Sequence, residues 1–278
     1  MLSPIETVGN NKNGSMLIEA ENLDALNELL PDYRGRIDTI IIDPPYNTNI
    51  DYIDYKDSMF PEGWHAFIQK RLVLAKEMMS DRGSMFICID ENELVSLLNV
   101  CYSLFGMGNV NILVWPKIDE RFDMNRVEKP IVNLKTAHEY IVLCYKDKKN
   151  THFGTMGNGK PMESIVGGLG TTSSAKDEIA ELLGDRSAFS TPKPMKLFKE
   201  LIRVSSSKES IILDFFAGSG TTGHAVMDLN KEDKGNRRFI LITNNENNIC
   251  MKVSNNRLKK AIQINNYFEG YGYYLCNH

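Results

Sequence analysis

Short unbroken apolar runs alternate along the chain with longer stretches in which apolar residues recur every third or fourth position. Residues 15–20 (SMLIEA), 37–42 (IDTIII), 84–90 (SMFICID), 111–115 (NILVW), 139–145 (EYIVLCY), 210–216 (SIILDFF) and 237–243 (RRFILIT) have strand length. Continuous apolarity over such a run marks a strand covered on both faces. Between them, 22–30 (NLDALNELL) reads as an amphipathic helix ended by Pro31, and 93–106, 174–184, 194–204 and 221–230 read as helices too. In 62–83, Trp64, Phe67, Ile68, Arg71, Leu72, Ala75 and Met79 fall near one helical face, with Gly83 as its stop. Strands alternating with helices predict an α/β fold with a doubly wound, mostly parallel sheet. The polar, glycine-bearing 116–190 region fits this rhythm least and reads as an insertion beside the sheet.

Two of the strand-like runs end in unusual residues. Thr39-Ile40-Ile41-Ile42 leads straight into Asp43-Pro44-Pro45-Tyr46. Proline has no N–H for a strand ladder, so taken alone this is either turn punctuation or a site. The second run delivers Asp214, Phe215 and Phe216 into Ala217-Gly218-Ser219-Gly220, which turns into a helix at Thr221-Thr222. Glycines let backbone approach a ligand closely, and the free N–H groups of a helix start suit an anion. A plain strand–helix turn has the same look. A Walker lysine and the full GxGxxG spacing are both missing. One strand later, Glu246 stands just beyond a strand end, where an acid can take both ribose hydroxyls of an adenosyl group.

With 278 residues, 42% apolar and 24% charged, the chain is an ordinary globular sequence. No apolar run approaches membrane-spanning length, and MLSPIETVGNNKNG lacks a signal-peptide core, so no membrane is expected. Cys88, Cys101, Cys144, Cys250 and Cys276 are scattered without a CxxC pair, which fits reduced, packed thiols in a cytoplasmic protein. Histidines, cysteines and acids do not cluster at ligand spacing, so no metal is expected, and His138 and His224 read as packing residues. The net charge of −4 gives no global basic signature, so a nucleic-acid partner would need locally gathered charge.

DPPYNT first and FFAGSGTTGHA second, in that order, resembles the β-class DNA amino-methyltransferases, most nearly the modification subunits of type III restriction–modification systems. The likeness runs through IEAENLDAL, RLVLAKEMMSDRGSMFICIDENE, HEYIVLCYK, TPKPMKLFKELI, GNRRFILITNNENNIC and YFEGYGYYLC. It implies a circularly permuted fold of the S-adenosylmethionine-dependent methyltransferase type, in which the amino-terminal SMLIEA supplies the strand next to the one that Glu246 follows. The expected organisation is a catalytic half (1–115), a short target-recognition insertion (116–190) and a cofactor-binding half (191–278), forming one composite domain. The implied cofactor is S-adenosyl-L-methionine, held by Glu21, Asn22, Asp43, Lys193, Asp214, Phe216, Ala217, Gly218, Ser219, Gly220, Thr221, Thr222 and Glu246. The family usually carries a glycine where Ala20 stands.

The implied activity is site-specific adenine-N6 methylation of duplex DNA, with Asp43, Pro44, Pro45 and Tyr46 as the catalytic turn. An exocyclic amine is a poor nucleophile, and the Asp43 carboxylate and the Pro44 carbonyl can each accept one of its N–H groups. The Tyr46 ring offers a face for a flipped base, and on that reading its hydroxyl is dispensable. Lys117, Arg121, Arg126, Lys196, Lys199 and Arg203 are the candidate DNA contacts. The last three share one helical face, which reads equally as a solvated surface. Cytosine-N4 methylation shares the chemistry, and DPPY rather than SPPY favours adenine by family habit alone. A binding-only pseudo-methyltransferase needing a partner is the rival of another class. The insertion, shorter than type III subunits usually carry, speaks for that rival. The intact Asp43, Tyr46 and 218–220 loop speak against it. A homodimer and a restriction or specificity subunit are the further candidate partners.

Overall fold

The structure is a computed structural model and describes residues 1–48, 60–119, 121, 123 and 135–276. Its sheet contains β1 (Leu2–Val8), β2 (Met16–Glu19), β3 (Ile37–Ile42), β4 (Met79–Ile89), β5 (Val110–Pro116), β6 (His138–Tyr145), β7 (Ile211–Asp214), β8 (Arg238–Thr243) and β9 (Tyr271–Cys276). The strand order is β1-β9-β2-β8-β7-β3-β4-β6-β5. The run from β9 through β4 is parallel, and antiparallel β1 and β6–β5 close the two edges.

The helices are α1 (Asn22–Tyr33), α2 (Trp64–Met78), α3 (Leu94–Phe105), α4 (Thr172–Leu183), α5 (Met195–Ser205), α6 (Thr221–Asp233) and α7 (Asn256–Asn265). Alternation along β3 divides them into two layers. Ile40 and Ile42 pack with the apolar faces of α1, α2 and α3, whereas Ile41 packs with those of α5, α6 and α7. A strand covered on both sides has to read as an unbroken apolar run, as 39–42 does.

This topology positions the site. From β7 the chain crosses through α6 to β8 on one side, and from β3 it crosses through α2 to β4 on the other. The two crossovers diverge between neighbouring strands, so their carboxyl ends bound a crevice at the switch point. As the permuted order requires, β2 pairs in parallel with β8, from Met16 opposite Ile240 to Glu19 opposite Thr243.

Several elements differ from the sequence reading. Helix α1 runs through Pro31 to Tyr33; proline forfeits a single N–H bond, and one more turn closes with Arg34 N donating to Leu30 O at 3.0 Å. Gly83 does not stop α2, which ends at Met78. It sits within β4, where a Cβ would lie 2.9 Å from the Ile37 and Ser80 carbonyl oxygens, so β4 crosses β3 closely there. Elements β1, β9 and the helical 249–265 segment were not anticipated. Within 116–190, the 138–145 strand lies inside the sheet between β4 and β5.

Candidate active site

β3 and β7 lie side by side, with Thr39 opposite Ile212 and Ile40 opposite Leu213. Their ends therefore present Asp43 and Asp214 to the same crevice. The 43–46 turn is pinned by Trp64, whose indole N–H donates to the Pro45 carbonyl at 2.7 Å. It leaves through Asn47 in the left-handed region, at φ 57°. Pro44 is buried beneath it.

Asp43 is the meeting point of a charged cluster. Lys193 Nζ donates to both its carboxylate oxygens at 2.8 Å, and the Tyr46 hydroxyl lies 2.7 Å from Oδ1. That hydroxyl also lies 2.9 Å from Lys193 Nζ and 3.1 Å from Glu139 Oε2. Glu139 in turn pairs with Lys193 and Lys117, each at 3.3 Å. Two acids and two lysines thus balance, with Tyr46 between them. The sequence reading treated the Tyr46 hydroxyl as dispensable; it sits instead at the centre of this network.

The electrostatics follow from burial. Desolvation pushes the Asp43 carboxyl above the usual carboxylate range, against the pull of Lys193, and Glu139 adds to the rise. Burial would also raise Glu139, but Lys193 and Lys117 outweigh it and hold that acid low. Burial alone would lower Lys193; Asp43 and Glu139 overcome it and keep the ammonium charged.

The second wall is built from backbone. Asp214 is buried and accepts from Phe216 N at 3.0 Å and from the Thr222 hydroxyl at 2.5 Å, tying the strand end to the start of α6. Burial pushes its carboxyl up to about 7. Gly218 and Gly220 have φ of 47° and 77°, a region that side chains with a Cβ avoid. A Cβ on Gly218 would stand 3.1 Å from the Phe189 ring; on Gly220 the nearest atoms would be Ser254 backbone at 3.4 Å.

Between the walls lies a cavity of about 280 Å³. Glu21, Asn22, Asp43, Lys193, Asp214 and Phe216 line it, as do Ala217, Gly218, Ser219, Thr221 and Glu246. Gly220 and Thr222 stand behind this lining. Asn22 spends its side chain on the Phe215 carbonyl (2.9 Å) and on Arg71, which also pairs with Glu21. The sequence reading missed the aromatic wall of Phe60, Phe67 and Phe189. It also missed Glu139, whose one signal is an acid opening an otherwise apolar strand. A cradle with left-handed glycines, an acid at the third strand end and aromatic walls fits an adenosyl group with an amino-acid tail.

The candidate DNA contacts divide. Lys199 pairs with Asp228 and Glu232, and Arg203 with Glu200 and Glu232, so α6 neutralises the face that α5 shows in sequence as basic. Lys117 is committed to Glu139. Lys196 is exposed and donates to the Gly168 carbonyl at 3.2 Å, whereas the exposed Arg121 is paired with Asp119, its Nε 2.9 Å from Oδ1. Arg126 lies outside the described residues. His224 is buried against Tyr267, and burial with Arg257 nearby drives its imidazole down to about 3. His138 hydrogen-bonds Tyr140 at 3.1 Å. No group of acids, histidines and cysteines able to hold a metal occurs among the described residues.

The type III restriction-modification enzyme StyLTI Mod subunit of Salmonella typhimurium is 28% identical, over 93% of this chain and 56% of its own. The chain thus spans little more than half the length of that curated relative. Among solved structures, the PvuII DNA methyltransferase (cytosine-N4-specific) superposes with TM-score 0.63 at 15% identity, covering 96% of both chains. The M1.HpyAVI–SAM complex superposes at 0.55 with 19% identity, over 87% of this chain and all of that one. These likenesses establish the fold. The profile of the N6_N4 DNA methylase family matches residues 37–255, from β3 to the helical turns that lead into α7, so the chain belongs to the DNA methylase family.

Proposed function

We propose that the protein is a DNA adenine-N6 methyltransferase using S-adenosyl-L-methionine within a restriction–modification system. The observation that carries this reading is that Asp43 and the 217–221 loop, at adjacent strand ends, share one cavity with Glu246 beyond the next strand. S-adenosylmethionine, when bound, supplies a methyl group already activated by its sulfonium. Ala217, Gly218, Ser219 and Thr221 would hold its amino-acid end, and Glu246 the ribose.

The protein's own part is to prepare the amine. Asp43 Oδ1 already accepts from Tyr46 and Lys193, whereas Oδ2 accepts from Lys193 alone. Oδ2 therefore has a lone pair left for an amine N–H, and the Pro44 carbonyl is the second acceptor. Because Trp64 and the two prolines fix the turn, the acceptors are oriented before substrate arrives. A carboxylate raised above its usual pKa is also the stronger hydrogen-bond acceptor. Tyr46 supplies the stacking face for a flipped base while its hydroxyl holds Asp43 in place.

Lys196, at the start of α5, is the proposed phosphate contact beside a target-recognition region drawn from 116–190; Arg121 within that region would have to exchange Asp119 for a phosphate. The relative named above is a Mod subunit, which supports a restriction or specificity subunit as partner, with a homodimer as the alternative assembly. All five cysteines are free and buried, which suits a reducing cytoplasm, and no helix among the described residues is long and apolar enough to cross a membrane.

Cytosine-N4 transfer is the second reading, favoured by the printed specificity of the PvuII enzyme that shares the fold. The test is to incubate the protein with labelled S-adenosylmethionine and mixed-sequence duplex and identify the modified base. N6-methyladenine is expected. N4-methylcytosine would move the reading to the second, and no label in DNA despite cofactor binding would leave a binding-only subunit.

A further inference from the structure

Arg257 lies on α7, two residues beyond the segment that the family profile matches, and its side chain is completely buried. Its Nη1 donates to the Thr221 hydroxyl oxygen at 2.7 Å and to that of Ser219 at 3.1 Å. Its Nε has no hydrogen-bond partner among the described residues. Its one ion pair is loose: Glu178 Oε2 lies 3.5 Å from Nη2, without hydrogen-bond geometry. A cation this deeply buried is ordinarily paired closely or not kept at all.

We infer that Arg257 is a positioning residue that, together with Thr221, turns the Ser219 hydroxyl into a donor for a carboxylate held in the cavity. The inference rests on the cofactor reading above, since the carboxylate in question is that of an amino-acid-bearing adenosyl ligand. A guanidinium can only donate, so both hydroxyl oxygens must accept from it. Their own protons then point elsewhere. The two oxygens are 3.1 Å apart, and Thr221 Oγ1 has the Lys193 carbonyl at 3.4 Å. A chain from Arg257 through Thr221 leaves the Ser219 proton for the cavity, which both residues line. In a low-dielectric interior, the incompletely balanced charge behind the loop strengthens that donor.

A purely structural tie between α7 and the loop is the competing account. That tie already exists nearby, because the Ser254 hydroxyl donates to the Gly218 carbonyl, and it needs no charge.

Two ligands separate the accounts. S-adenosylhomocysteine carries the carboxylate; 5′-methylthioadenosine has the same adenosyl thioether without it. By titration calorimetry on the full chain, Arg257→Met should weaken S-adenosylhomocysteine by roughly ten- to a hundredfold, the value of a charge-assisted hydrogen bond. Methylthioadenosine should change by less than about threefold. Arg257→Lys, which keeps the charge, should recover part of the loss. Equal losses for both ligands, or none for either, would overturn the inference. Should Arg257→Met fail to fold, the double variant Ser219→Ala, Thr221→Val must reproduce the selective loss, and failure there overturns it as well. A wild-type chain that binds neither ligand sinks the cofactor reading, and this inference with it.

Discussion

The 43–46 turn and the 217–221 loop end neighbouring strands and face one cavity, yet they are held in different ways. The turn is held by side-chain charge: Asp43, Glu139, Lys193 and Lys117 balance one another around the Tyr46 hydroxyl. The loop is held by backbone shape, with two left-handed glycines and an Asp214 that bonds the turns on either side of it. Charge can be tuned and can titrate, which suits the proposed activation of an amine. Backbone shape is set by the steric limits on φ, which suits a cradle for a ligand that must always fit. Substitutions in the turn should therefore alter rate and pH dependence, and those in the loop affinity and stability.

The largest effect should come from Asp43→Ala. It removes the charged one of the two acceptors at the β3 end, so methyl transfer to duplex should fall by at least roughly 10²–10³-fold. The melting transition should survive, at a cost below the roughly 3–5 kcal/mol of an orphaned buried charge, because Glu139 still faces Lys193. Turnover near that of the wild type would end the contrast between the two regions.

The glycines come next. Gly218→Ala drives a Cβ into the Phe189 ring and should weaken S-adenosylhomocysteine by roughly tenfold or more. Gly220→Ala meets only ordinary contacts, so its cost is the left-handed backbone, about 1–2 kcal/mol of stability. Calorimetry and melting on both variants would show whether close approach or φ dominates; identical profiles would mean the cradle is less tightly shaped than its geometry implies.

The smallest effects are the most diagnostic. The ionised Asp43 is the stronger acceptor for an amine N–H, so the rate should fall as pH drops through its raised pKa. Tyr46→Phe removes a donor that favours the carboxylate, which should move that acidic limb to higher pH, with a several-fold loss of kcat. Glu139→Gln removes a repelling charge, which should move the limb to lower pH. Opposite shifts support one coupled cluster; shifts in the same direction would dissolve it. Tyr46→Ala should cost a further 1–3 kcal/mol or so if its ring stacks the flipped base, and part of that should return on a mismatched duplex.

What could be read from the chain alone was whatever is encoded locally. Apolar runs 39–42 and 211–213 announce strands covered on both faces, and the residues that end them follow within the same few positions, so both motifs were legible. The role of 15–20 as the strand beside β8 came from the family resemblance, whose permuted order left one place in the sheet to fill. Edge strand β1 was not legible, since most of its residues face solvent and leave no apolar run. Charge balance was decided only in three dimensions. Lys199 and Arg203 look basic along α5 until α6, some 29 residues away, supplies Asp228 and Glu232. Glu139 meets Tyr46 across 93 residues, and Arg257 meets Thr221 across 36, each through packing between separate elements. Backbone conformation depends on near neighbours and is written in sequence, whereas the partner of a buried charge depends on which elements the fold brings together, and no local pattern records that.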